Sequence, residues 1–345
     1  MNKRHYIIPI FISHIGCPHQ CVFCNQDKIA KKVEEEVTAK DVRETIESYL
    51  KTIEHSNSTV EVSFFGGTFT AINVNKQKEL LSVAKEYKDK GLIDKIRMST
   101  RPDAINKYIL SYLKEYSVDI IELGVQSLDD EILKLSGRGH TSKDVEEASK
   151  LIKEYKFTLG HQIMPGLPGD TFEKDIETVN KSINMKPDIC RIYPALVIKD
   201  TPMEVMYNRG EYRPYSLEEA INISKELYKL YMKARINIIR IGLQPTDNIT
   251  WGGDLVDGPF HPAFRELVEG SLICDKIKSE INEDEDIIIE INSKDLSKLY
   301  ANKKVYFNNL KNNHKGKILV NTKDKLKRGN LNIIVIKRTR EISIR

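Results

Sequence analysis

The chain has 345 residues, 40% of them hydrophobic and 30% charged, with a formal net charge of +4. That length buries one large α/β core with room for a small second module, and the composition is that of an ordinary globular protein rather than a disordered or fibrous one. No apolar run approaches the roughly 18–20 residues that cross a bilayer, and Ile7-Ile8-Pro9-Ile10-Phe11-Ile12 is too short for a signal-peptide core with its cleavage site, so the expectation is a cytoplasmic protein with no membrane partner.

From residue 7 to about 240, short β-branched runs alternate with longer amphipathic segments. Strands are expected at 7–13, 59–65, 95–100, 119–124, 157–164 and 188–193. Helical periodicity fits 39–54, 74–89, 105–116, 129–136 with 143–155, 171–184 and 216–235. Strands spaced by helices in this way make βαβ units on a parallel sheet. Several strands are apolar on consecutive residues, as strands covered on both faces are. Six units suit an open, partial (βα)6 TIM-like barrel better than a closed eight-fold one.

After residue 240 the pattern changes. Trp251-Gly252-Gly253-Asp254 through Pro259-Phe260-His261-Pro262 is rich in Gly and Pro and reads as a structured loop. A short helix is expected over 262–270, then alternating segments at 285–292, 304–308, 316–320 and 330–336. The division expected is a barrel over 1–240, a loop and helix closing it over 241–270, and a small α+β extension over 271–345. The extension is strongly basic: residues 301–345 hold thirteen Lys or Arg against Asp324 and Glu341. Such asymmetry points towards a polyanionic partner.

In parallel α/β folds the chemistry sits at the carboxyl ends of the strands. The notable residues of this chain fall there. A cysteine cluster follows the first strand, Gly66-Gly67-Thr68 the second, Arg101 the third, Gln126 the fourth and Pro165-Gly166 the fifth.

The cluster, Cys17-Pro18-His19-Gln20-Cys21-Val22-Phe23-Cys24, has the spacing C-x3-C-x2-C. The chain has five cysteines, an odd number, and three of them crowd one loop, which is not the pattern of a disulfide framework. In a reducing compartment it reads as a metal or cluster site. Three thiolates can wrap a 4Fe-4S cluster and leave one iron open for an exogenous chelating ligand. The rival is tetrahedral zinc, with His19 or His14 as fourth ligand. Cys190 and Cys274 stand alone and read as small buried hydrophobes.

The motif set resembles the radical S-adenosylmethionine superfamily, in particular the radical domain of the Elongator catalytic subunit and its smaller bacterial relatives. Oxygen-independent coproporphyrinogen oxidase is a more distant likeness. The resemblance spans roughly residues 5–270. It implies that Cys17, Cys21 and Cys24 hold a 4Fe-4S cluster and that S-adenosylmethionine is the second cofactor. Phe64-Phe65-Gly66-Gly67-Thr68-Phe69 resembles the family's glycine motif, whose backbone meets the cofactor's methionine amino group, and glycine permits such close approach.

Glu122-Leu123-Gly124-Val125-Gln126-Ser127 is similar to the fourth-strand motif, in which the Gln contacts the cofactor. In Arg138-Gly139-His140-Thr141 the resemblance makes Arg138 the partner of the methionine carboxylate, a contact suited to a guanidinium. Gln162-Ile163-Met164-Pro165-Gly166-Leu167-Pro168-Gly169 resembles the segment lining the adenine, which implicates Met164. Arg191-Ile192-Tyr193-Pro194-Ala195-Leu196-Val197-Ile198 matches the Elongator-type sixth strand.

The pattern departs at three places. The first two cysteines are closer than in the Elongator subunit. Ser99 occupies a cofactor-contacting position where that subunit has an acid. No acetyltransferase domain is recognisable, so the acyl transfer of that subunit is not expected of this chain.

Three functions compete. The first is a radical enzyme acting on RNA, tRNA foremost, with the basic extension meeting phosphates and an external donor of flavodoxin or ferredoxin type supplying electrons. The second uses the same cofactors on a small molecule or peptide, as coproporphyrinogen oxidase does, in a pocket lined by Tyr193, Arg240, Gln244, Trp251, Asp254 and His261. The third is a non-catalytic, metal-stabilised RNA-binding module. A tyrosine, Cys190 or Cys274 could serve as hydrogen donor in the first two.

Overall fold

The structure, a computed structural model, describes residues 4–12, 17, 19–25, 36–54, 57–246 and 248–336. The chain divides into two units, Met1–Pro262 and Ala263–Arg345. His14 and residues 337–345, with their share of the C-terminal basic charge, lie outside the described residues.

In the first unit the apolar runs form β1 (Arg4–Ile12), β2 (Ser58–Gly66), β3 (Lys95–Thr100), β4 (Ile120–Gln126), β5 (Thr158–Ile163), β6 (Ile189–Ile192), β7 (Val197–Ile198) and β8 (Asn237–Ile241). All but β7 join one sheet in the order β1-β2-β3-β4-β5-β6-β8, every neighbouring pair parallel. Among the described residues β1 and β8 do not pair, so the barrel is partial. β7 instead pairs antiparallel with β9 (Leu255–Asp257).

The connections are α1 (Ala39–Leu50), α2 (Val74–Asp89), α3 (Lys107–Glu115), α4 (Asp130–Leu135) with α5 (Ser142–Glu154), α6 (Phe172–Asn184), α7 (Pro202–Asn208) and α8 (Leu217–Lys233). Local chemistry starts them. Thr38 with Asp41, Thr141 with Asp144 and Ser216 with Glu219 each form a capping box that satisfies two otherwise orphaned amides.

The six expected strands are all present, and β8 is an addition to them. The segment Asn237-Ile238-Ile239-Arg240-Ile241 follows α8 almost at once, and its pairing partner β6 lies nearly fifty residues back. Nothing local marks five residues as the seventh member of a sheet. Pairing with β6 is a tertiary event.

Along the strands side chains alternate between two faces, as the pleat requires. Ile8, Ile10, Val62, Phe64, Ile96, Met98, Ile121, Leu123 and Leu159 are fully or almost fully buried on the helix-covered face. Glu61, Ser63, Arg97, Ser99, Glu122, Gln162, Arg191 and Tyr193 alternate with them and line the inner face. The buried inner face is therefore polar, in contrast to the apolar face that packs against the helices.

The second unit consists of α9 (Phe264–Glu280), β10 (Asp286–Ile291), α10 (Leu296–Leu299), α11 (Val305–Asn312), β11 (Ile318–Thr322) and β12 (Leu331–Ile336), with strand order β11-β10-β12. Its core gathers Cys274, Ile277, Ile287, Ile289, Ile291, Leu299, Phe307, Leu310 and Ile318. Two expectations are corrected. The helix expected over 262–270 runs on to Glu280, and the segment expected to alternate at 304–308 is helical. In the latter, Phe307 and Leu310 are buried three residues apart, a helical spacing that the β-branched and aromatic start Val305-Tyr306-Phe307 disguises.

Candidate active site

The cysteine loop leaves the carboxyl end of β1 and is pinned at several points. The Val22 amide donates to the Ser136 carbonyl at 3.0 Å, and the Val22 carbonyl accepts from the Met203 amide at 2.9 Å. The Cys24 amide closes a turn onto the Cys21 carbonyl at 3.1 Å. Cys21 and Phe23 are buried against Ile132, Leu167, Val197 and Met203, with Cys24 and Met164 packed on the same apolar cluster. Cys17 and Cys24 are half-buried. The Cys17 Sγ lies 3.2 Å from the Thr68 hydroxyl, which links the loop to the end of β2.

At that end Gly66 has φ of +104°, and a Cβ there would sit 2.7 Å from the Ile12 carbonyl oxygen. Only glycine takes that backbone conformation without strain while lying so close to a neighbouring strand. The Gly67 amide donates to the same carbonyl. The two glycines therefore splice β2 to the last residue of β1, just before the cysteine loop.

Beyond β4, Gln126, Arg138 and Gly124 meet. Gln126 has φ of +66° and sits at an irregularity where β4 and β5 shift register. Its side-chain oxygen accepts from Gln162 Nε2 at 3.4 Å, and its carbonyl accepts from the Met164 amide at 2.8 Å. Arg138 is buried and donates through Nη2 to the Gly124 carbonyl and through Nη1 to Cys21 Sγ at 3.4 Å. A Cβ on Gly124 would lie 3.0 Å from Gln126 Nε2 and 3.2 Å from Arg138 Nη2, so the two side chains close over this position.

Arg101 braces Arg138 from below, donating to its carbonyl while both Asp103 oxygens hold Arg101 at 2.9 Å. Burial and the cations of Arg138 and Arg101 push the adjacent His140 down to about 3, so its ring is neutral. Ser99 is half-buried on the inner face, in register with Glu122.

Cys17 with Thr68, Cys21 with Arg138, and Gln126 with Arg138 and Met164 are thus brought to one end of the sheet. The residues named for the cavity wall divide. Arg240 donates to the Gln244 side-chain oxygen, and Tyr193 feels the Arg240 charge. Trp251, by contrast, is 56% exposed and packs edge-on against Phe260. Cys190 lies beside Tyr231 of α8 on the helix-covered face, and Cys274 belongs to the core of the second unit, where burial pushes its thiol up to about 12.

Two groups of residues were missed from sequence. On the inner face Arg97 Nε lies 2.6 Å from Glu61, Arg97 Nη1 lies 3.2 Å from Glu122, and Arg191 Nε lies 2.8 Å from the other Glu122 oxygen. Their signal was available: charged residues at alternate positions inside apolar strands. After β5, Asp170 and Asp175 hydrogen bond through their carboxyls, and Tyr215 donates to Asp175 at 3.0 Å. No spacing rule announces that pair.

The residues suit the two expected cofactors. Three thiols share one loop, the soft donor set that iron–sulfur centres take. The buried Nε of Arg138 has no hydrogen-bond partner, which leaves a cationic donor for a carboxylate. Among the described residues no three His, Cys, Asp or Glu side chains gather closely enough to hold a single metal ion. His19, one candidate for a zinc ligand, lies against the bend at Gly139.

A partial parallel barrel with a cysteine loop after its first strand and a glycine splice after its second belongs to a recognised class. The Radical SAM superfamily model matches residues 11–181 and the Radical_SAM C-terminal domain model matches residues 187–273. The chain belongs to the radical SAM superfamily and is a radical SAM enzyme, with a 4Fe-4S cluster and S-adenosylmethionine as its cofactors.

Within that class it is similar to the tRNA uridine(34) acetyltransferase of Methanocaldococcus infernus, 29% identical over 255 residues, covering 63% of this chain and 48% of the relative. It is also similar to human Elongator complex protein 3, 31% identical over 201 residues, covering 52% of this chain and 37% of the relative. The chain spans about half the length or less of these relatives. Among solved structures, Methanocaldococcus infernus Elp3 with an N-terminal deletion superposes with a TM-score of 0.62 at 24% identity, covering 82% of this chain and 65% of that one. That likeness is one of fold. No helix among the described residues is long and apolar enough to cross a membrane.

Proposed function

We propose that this enzyme directs its radical chemistry at RNA, with tRNA as the substrate. The observation that carries the reading is the likeness, over 255 residues, to an enzyme named for acting on a tRNA uridine. The basic stretch 301–345 supports it, since lysines and arginines meet phosphates without regard to sequence.

In this reading Cys17, Cys21 and Cys24 hold the cluster. Gly66, Gly67, Thr68, Ser99, Gln126, Arg138 and Met164 hold S-adenosylmethionine. Together these cofactors supply reductive cleavage of a carbon–sulfur bond and a 5′-deoxyadenosyl radical. The protein's part is to bind, orient and exclude. Arg138 offers its guanidinium to the methionine carboxylate, and Met164 gives the adenine an apolar neighbour. Three cysteines crowded on one loop suit a reducing cytoplasm, and a flavodoxin- or ferredoxin-type donor provides the electron.

The test is anaerobic release of 5′-deoxyadenosine by the reconstituted enzyme, with and without bulk tRNA. Stimulation by tRNA, or formation of a modified nucleoside in it, is the expected result. Unchanged cleavage, with no salt-sensitive tRNA binding, would sink the RNA reading while leaving the radical chemistry intact.

A further inference from the structure

The inner face carries a row of charges that does not balance. Glu61 is shared between Arg97 and His5, at 2.6 Å and 3.1 Å. Glu122 divides its two oxygens between Arg97 and Arg191. Next in the row stands Arg240, in direct register with Arg191 on the neighbouring strand. The register thus sets two arginines opposite one another on adjacent strands, and their heads go to different partners. Arg191 is compensated by Glu122 and lies over the Phe65 ring at 5.3 Å. Among the described residues Arg240 has no carboxylate partner, and its side chain is held by the carbonyl oxygen of the Gln244 amide.

The neighbouring polar groups are all turned the same way chemically. Tyr193 accepts a hydrogen bond from Arg191 Nη1 at 2.9 Å, which leaves its own O–H to donate. Gln244 spends its oxygen on Arg240, which leaves its NH₂ to donate. Arg240 can only donate. A guanidinium, a phenol and an amide that all present hydrogens match a ligand that presents only oxygens and negative charge. The group also lies beside the proposed cofactor residues, because Arg191 is in register with Gln162, which donates to Gln126.

We propose that Arg240, Tyr193 and Gln244 form an anion subsite on the inner face of the barrel that holds a phosphate of the RNA substrate next to the cofactor. The proposal rests on the RNA reading for the identity of the anion. Its geometry comes from the Arg191–Arg240 register and from the side-chain hydrogen bonds that hold Tyr193 and Gln244. The phosphate would give Arg240 an anionic partner and place the attached nucleoside against the Gln126 end of the sheet.

The experiment is equilibrium binding of uridine 5′-monophosphate and of uridine to the reconstituted holoenzyme with S-adenosylmethionine present. The wild type should prefer the phosphorylated ligand by about tenfold. Arg240→Gln should erase that preference, Tyr193→Phe and Gln244→Leu should reduce it, and iron content shows that each variant is folded. If Arg240→Gln does not load iron, the other two variants decide. With tRNA, Arg240→Gln should lower the slope of log affinity against log salt by about one.

Equal binding of the two small ligands by the wild type, binding of neither, or a preference surviving in the variants overturns the subsite. An Arg240-dependent preference without tRNA-stimulated cofactor cleavage leaves the subsite standing and overturns the RNA reading alone.

Discussion

Cys17, Cys21 and Cys24 are fixed to different parts of the barrel although they share one short loop. Cys17 touches Thr68 after β2, and Cys21 touches Arg138, more than a hundred residues on. Replacing any one of the three by Ala should abolish stable cluster loading, read as iron and sulfide per chain. Cys190→Ala should load normally, because Cys190 faces α8 on the other side of the sheet. Gly66 is the second residue whose chemistry is dictated by position. Gly66→Ala must place a Cβ 2.7 Å from a carbonyl oxygen with φ at +104°. A cost of about 1–3 kcal/mol is expected in chemical denaturation of the apoprotein, together with weaker S-adenosylmethionine binding.

Among the elements, the loop between β5 and α6 has its own clamp. Gly166 donates to Asp170, accepts from Tyr212 at 2.7 Å, and leaves no room for a Cβ beside the Tyr215 ring. The two carboxyls of Asp170 and Asp175 meet in a buried site where Tyr212 and Tyr215 also face them, with Glu219 and Asp257 nearby. Burial and mutual repulsion hold Asp175 well above its ordinary value of 3.8, so the pair keeps a proton. An acid that stays protonated in the folded chain binds more protons folded than unfolded. Its contribution to stability is complete below the ordinary carboxylate range and is lost as pH rises towards the elevated folded value.

The thermal midpoint of the wild type should therefore fall as pH rises above the ordinary carboxylate range, by an amount that Asp175→Asn removes. Identical pH profiles for the two proteins would show that the carboxyls do not share a proton.

At the scale of the whole molecule, the inner face is tied together by ions rather than by apolar packing. Arg97 and Glu122 join β2, β3, β4 and β6 across the sheet, each contact made between residues far apart in the chain. Arg97→Met would leave Glu61 and Glu122 buried without their shared cation, and a loss of about 3–5 kcal/mol is expected in denaturant unfolding. The double variant that also carries Glu61→Gln should recover part of that loss. Such a lattice keeps the inner wall polar while linking strands far apart in the chain.

The strands, the capped helices and the cysteine loop were legible because each is a local statement. Period, cap residue and spacing act over fewer than about twenty residues, the reach of one helix or strand. The seventh strand was not legible, since Asn237–Ile241 becomes a strand only by pairing with β6. Nor was the helical fate of Val305–Asn312, where propensity and burial point in different directions.

The amino-acid sequence by itself determined the partial barrel, the thiol set and the residues that gather at the strand ends. Only the tertiary structure decided which alternate residues face inward, that Arg138 reaches Cys21, and that Arg240 falls in register with Arg191. The reason is the parallel sheet. It pairs residues that are tens of positions apart, so the register that creates the charged inner wall is set by packing against the helices and is written in no single stretch of the chain.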